Sequence, residues 1–217
     1  TTDMIRLGLP SGFTQAIFSM AMIVVQSLTN SFGEMFIAAN VIIMRVDGFA
    51  MMPNFTFGNA MTTYTGQNMG AGRTDRVEEG IRDGLRLGLV VIAVLVAAVV
   101  IFGSSLIRLF TDTPEVVEMG RNMLRVLALG YIAMAITQTL SGVMRGAGDT
   151  MSPMWISLIT TVVIRVPLAY GLAAVMHSPY CLFISLLISW CMGAILSVIA
   201  YRRGKWRKKA IVKKEEA

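Results

Sequence analysis

Long stretches without a single Asp, Glu, Lys or Arg constrain this chain more than any other feature. They run from Leu7 to Gly33, Gly48 to Gly72, Leu87 to Ile107, Val126 to Met144 and Val166 to Tyr201. A helix crossing a hydrocarbon core about 30 Å thick needs roughly 20 predominantly apolar residues, so each of the first four runs suffices for one pass. The fifth is too long for one. It offers a turn at "HSPY", His177 to Tyr180, where proline and its polar neighbours end a helix. The expected fold class is all-α integral membrane, with six transmembrane helices over residues 1–201 and a basic tail over 202–217. The expected spans are 8–31, 36–68, 85–108, 117–144, 153–176 and 180–201. A mean hydropathy of +0.66 agrees with this class.

An even number of spans puts both termini on one side. Arg6, Arg73, Arg76, Arg82, Arg86, Arg145 and the tail "RRGKWRKKAIVKK" share that side, while Arg108, Arg121 and Arg125 lie on the other. The positive-inside tendency makes the termini cytoplasmic, in the cell membrane. The net charge of +6 thus reflects topology and gives no case for a nucleic-acid partner. The tail reads first as a stop signal, with contact to anionic membrane lipid as a lesser role. The chain opens "TTDMIRLGLP" without an initiator methionine, and upstream sequence is expected.

Several chemistries lack their residues. No GxxxxGK[ST] occurs, so a P-loop ATPase is unsupported. One histidine, His177, and two cysteines, Cys181 and Cys191, do not make a usual zinc site, and the cysteines sit roughly 15 Å apart along one expected helix, too far for a disulfide. A hydrolase triad would have to use His177, which lies in a turn without an acidic neighbour. The chain is read as neither an enzyme nor a holder of a cofactor or metal.

What remains is polar surface inside the spans. In the second, Asn40, Asp47 and Asn54 recur every seven residues, and Gly58, Thr62 and Thr65 continue the same side, within a sector of roughly 80°. Pro53 interrupts this helix and frees the carbonyl of Phe49, giving an expected bend. The first span carries Ser11, Gln15, Ser19, Met22, Gln26 and Thr29 at spacings of three and four, and the fourth carries Tyr131, Met134, Gln138 and Ser141. The third, "LGLVVIAVLVAAVVIF", has no such stripe. The first, second and fourth helices are therefore expected to face a shared interior and the third to face lipid. Gln15, Gln26, Asn40, Asn54, Thr62, Tyr131, Met134 and Gln138 become the candidate cavity residues. Any one of them is also accounted for as an interhelical hydrogen bond.

Charges within spans point more strongly to function, because a central Asp or Arg costs roughly 2.5 to 3.5 kcal/mol on insertion scales. Asp47 and Arg165 are the two candidates. A structural ion pair between them and a transport role both explain why such charges are tolerated. Arg45 lies two residues from Asp47 and so points away from it, and is expected to snorkel toward the headgroups.

Two glycine-rich loops follow the second and fourth spans, "GQNMGAGR" and "MRGAGDTMSP". The segment "TDRVEEGIRD" after the first reads as a short interfacial helix. Together with "GLPSG" and "RVPLAYGL", which contains Pro167, these motifs resemble the multidrug and toxic compound extrusion (MATE) family across residues 5 to 200. The resemblance implies one lobe, the C-terminal one, of a twelve-helix transporter, with the N-terminal lobe of the same polypeptide as its partner. It implies export of organic, often cationic small molecules, coupled to inward movement of Na+ or H+, by rocking of the lobes around a shared cavity. A helix bend is also expected at Pro167. Some members of the family carry coupling carboxylates in the first and fourth helices of this lobe, where this chain has Gln15 and Met134. Coupling then falls to Asp47 or to the other lobe. A lipid-linked sugar flippase of the same superfamily, a homodimeric half-transporter and a non-transporting scaffold remain as alternatives.

Overall fold

A computed structural model describes residues 2–208, and side chains within residues 16–207. Six helical rods account for nearly all of it. They are α1 (Thr2–Asn30), α2 (Glu34–Gly70), α3 (Thr74–Arg108), α4 (Pro114–Gly146), a composite rod of α5 (Met151–Leu158), a π-helical segment (Ile159–Arg165) and α6 (Val166–Met176), and α7 (Tyr180–Arg202). Five of these are long and apolar enough to cross a membrane, and the described apolar part of α1, Ala16–Asn30, is shorter. Helices suit such a chain because they satisfy their own backbone groups where no water can.

Chain punctuation explains the boundaries. Both glycine loops close their helices in the same way. Gly72 (φ 71) and Gly148 (φ 89) adopt the left-handed conformation that ends a helix without a Cβ penalty. Their neighbours bond back alike: Arg73 N–H donates to Asn68 and Asp149 N–H to Met144, each at 2.8 Å. The "GAG" repeats are helix stops. At the other end of the bundle His177 (φ 49) turns the chain from α6 into α7, within the expected turn.

Helix α4 is the axis of the fold and packs against α2, α3 and α7. It buries Met123, Leu124, Leu127, Tyr131, Val143 and Met144 almost completely. By contrast α3 buries a single line, Val77, Ile81, Gly88, Ile92, Val99, Gly103 and Ile107, and leaves Val90, Val94 and Ile101 exposed. Such an apolar outer face fits lipid.

Two features depart from the sequence reading, and a third concerns Pro53. The "TDRVEEGIRD" segment is not a separate interfacial helix. It forms the first turns of a continuous α3, which Tyr64 holds by donating its hydroxyl to the carbonyl of Arg76 at 2.9 Å. Helix α2 runs unbroken through Pro53, so this proline removes one hydrogen bond without ending the helix. The start of the tail folds back after α7. There Lys205–Lys208 make a tight turn that buries Trp206 to 2% exposure, stacks it on Tyr201 and pairs Arg207 with Glu78 of α3 at 2.6 Å.

Candidate functional site

The polar stripe on α2 has two different environments. From Asn54 inward it forms a seam with α4 built on backbone contact. A Cβ on Gly142 would overlap the carbonyl oxygen of Gly58, one on Gly146 that of Thr62, and one on Gly58 would stand 3.0 Å from the carbonyl oxygen of Gln138. Small residues four apart on each helix, Gly58, Thr62 and Gly66 against Gly142 and Gly146, permit this approach. Thr62 donates its hydroxyl to its own helix at Gly58, 2.9 Å. Asn54 is 1% exposed, and its amide reaches the carbonyl of Tyr131 at 3.4 Å. The structure therefore places Asn54, Thr62 and Gln138 in or beside this seam and not in the cavity wall.

Outward of Asn54 a cavity of about 550 Å³ lies between α1, α2, α4, the π segment and α7. Gln26, Asn40, Asp47, Met134 and Arg165 all line it. Helix α1 contributes one side of its stripe, since Met22 and Thr29 join Gln26 there. The side chain of Gln15 lies outside the described ones. Most of the remaining wall is apolar and aromatic: Phe18, Met44, Phe55, Phe183, Leu186 and Trp190. Helix α7 carries a line of buried serines, Ser185, Ser189 and Ser197, that does not line the cavity, and nothing in its pattern marked the apolar Phe183 and Trp190 as wall residues. Thr161 was equally hidden, although it lies one turn before Arg165 on the same rod.

The two charges stand in this wall without touching. No nitrogen of Arg165 comes within 4.0 Å of a carboxylate oxygen of Asp47; among the described residues the ion pairs are Arg73–Asp75, Arg86–Asp83 and Arg207–Glu78. Instead Asp47 accepts the hydroxyl hydrogen of Tyr131 at 2.9 Å. Tyr131 is fully buried behind the wall, with its ring 6.0 Å from that of Trp190. Arg165 donates to the Met22 sulfur at 3.7 Å, and its Nε is buried without a partner. The two charges attract each other across the space. A carboxylate can accept about four hydrogen bonds and a guanidinium can donate five, so both groups keep unused capacity facing the cavity. Arg45 points elsewhere, over the Phe110 ring in the α3–α4 loop at 5.9 Å.

Arg165 owes its position to the π segment. Pro167 lacks an N–H and would clash with the carbonyl of Val163 in a regular helix. The wider turn over Ile159–Arg165 ends just before that proline. Ser189 of α7 donates to the carbonyl of Thr160 within it at 2.7 Å. Pro167 thus adjoins a widened turn on a rod that continues.

The fold of six rods is matched by known proteins. The MatE family model covers residues 10–171. The chain belongs to the MatE family. This is a family of transporters, not enzymes. The chain is 26% identical over 214 residues to the probable multidrug resistance protein NorM of Thermotoga maritima, covering 98% of this chain and 46% of that protein. Among solved structures, one described as MATE in the bent conformation superposes with a TM-score of 0.84 at 21% identity, covering 97% of this chain and 47% of its own. A multidrug resistance MATE family transporter in an outward-facing conformation gives 0.81 at 21% identity, with 95% and 47% covered. The chain spans about half the length of the curated relatives it matches.

Proposed function

We propose that this MatE chain is one six-helix lobe of a cation-coupled antiporter that exports organic, often cationic compounds. The observation that carries the reading is the 550 Å³ cavity, apolar over most of its wall and holding one carboxylate and one guanidinium that do not neutralise each other by contact. Aromatic and methionine side chains accept many shapes, which suits a site for diverse hydrophobic guests. Asp47 supplies a counter-charge for a bound cation, whether substrate, Na+ or H+. Arg165 opposes it from across the cavity and keeps Asp47 from holding that cation too tightly to release. A second lobe of the same polypeptide closes the cavity, and alternating access arises as one lobe rocks against the other. Both termini face the cytoplasm of a cell-membrane protein in this reading, since the basic residues gather at that end.

The test is ethidium efflux by the full-length polypeptide under imposed Na+ or pH gradients. Asp47→Asn abolishes or strongly reduces efflux while surface expression stays intact, and the gradient that drives the wild-type protein identifies the coupling ion. Undiminished efflux by the variant at several pH values would remove Asp47 from coupling.

A further inference from the structure

The bundle end opposite the glycine loops carries a second pocket, which the transport cavity does not use. It has a volume of about 520 Å³ and lies where α3 gives way to α4. Four charged residues line it, two of each sign: Arg108 at the end of α3, Asp112 in the loop, and Glu118 and Arg121 on α4. None of these approaches another within 4.0 Å, and Arg121 Nε is shielded from solvent with no hydrogen-bond partner. A buried N–H without an acceptor is costly, whereas Arg108, Asp112 and Glu118 are exposed and can turn toward a guest. Their separation leaves room for a guest that carries both charges.

The surroundings say what else that guest has. Helix α3 presents bare aliphatic side chains along its length, and beside the pocket Leu109 is 77% and Phe110 44% exposed. These positions fit hydrocarbon, so the pocket opens at the edge of the acyl-chain region. We propose that it binds the headgroup of a phospholipid with a primary ammonium, of the phosphatidylethanolamine type, with the phosphate on Arg108 and Arg121 and the ammonium on Asp112 and Glu118. Guanidinium forks match phosphate oxygens, and a primary ammonium donates hydrogen bonds to carboxylates. A choline headgroup lacks those N–H donors. A phosphatidylglycerol headgroup carries the same phosphate but ends in an uncharged glycerol, so no cation meets the two carboxylates.

Native mass spectrometry of the full polypeptide, loaded with equal amounts of phosphatidylethanolamine, phosphatidylcholine and phosphatidylglycerol, tests the assignment. Phosphatidylethanolamine is retained roughly tenfold over the other two, the scale of losing a hydrogen bond to a charged group. The double variant Asp112→Asn, Glu118→Gln erases the preference over phosphatidylcholine. Arg108→Gln with Arg121→Gln lowers retention of all three lipids. If that variant does not fold, Arg121→Lys keeps the charge, loses the fork and still weakens retention. Equal retention of the three lipids by the wild-type protein overturns the proposal, as does a preference that survives both double variants. Displacement by soluble phosphoethanolamine at the lipid's own concentration overturns the assignment to a lipid.

Discussion

The two ends of the α2–α4 interface share one sequence pattern and do opposite things. Around Gly58, Gly142 and Gly146 the backbones touch and polar side chains bond within their own helices. Around Asp47 and Tyr131 the helices meet through larger side chains, joined by one hydrogen bond, and the cavity opens beside them. What separates the two is residue size. Glycine brings the backbones into contact, whereas tyrosine, methionine and aspartate meet through their side chains beside the space that a guest can enter.

The strongest way to break this contrast is to give the seam a side chain. Gly142→Ala places a methyl group on the Gly58 carbonyl, which is backbone and does not swing away, so a loss of about 3 kcal/mol is expected, the upper end of overpacking costs. Thermal unfolding in detergent reads it, and an unchanged Tm would mean the helices are not in contact there. Next comes the bond across the cavity end. Asp47→Ala leaves the buried Tyr131 hydroxyl without its acceptor and costs ~1–3 kcal/mol, while Asp47→Asn keeps an acceptor oxygen and costs less than half as much. Equal losses would show that the hydroxyl has another partner.

A smaller effect sharpens the relation between the charges. Contacting buried pairs couple by several kcal/mol, but Asp47 and Arg165 lie apart, so a double-mutant cycle of Asp47→Asn and Arg165→Gln is expected to give less than about 1 kcal/mol. A larger value would indicate a direct pair. The smallest change is Thr62→Ala. Its hydroxyl serves only its own helix, so stability shifts by less than ~0.5 kcal/mol and ethidium efflux stays at the wild-type rate. Reduced efflux would move Thr62 from the seam to the transport path.

Much of this was legible in the residues because lipid leaves few options. Uncharged runs and a Ser-Pro turn defined six rods, and the charges of Asp47 and Arg165 pointed to one interior space. Periodicity reports which side of a helix is polar but not how far away the facing helix stands. That is why Asn54, Thr62 and Gln138 looked like cavity residues on the same terms as Asn40. Trp190 and Phe183 escaped for the converse reason: an apolar wall on an apolar helix makes no pattern. Trp206 lay within a run of basic residues, where charge drew attention away from an aromatic side chain that folds back onto the bundle.

The widened turn before Pro167 has a consequence for how this rod tolerates change in length. A π turn inside an α-helix amounts to one inserted residue. Deleting a single residue within Ile159–Arg165 therefore returns the rod to ordinary helical winding while α5 and α6 keep their faces, whereas the same deletion within α5 or α6 rotates part of the rod by about 100°. Such a deletion keeps both faces but brings Pro167 against the carbonyl one turn earlier, so the proline and the extra residue hold each other in place at the point that aims the cavity's guanidinium.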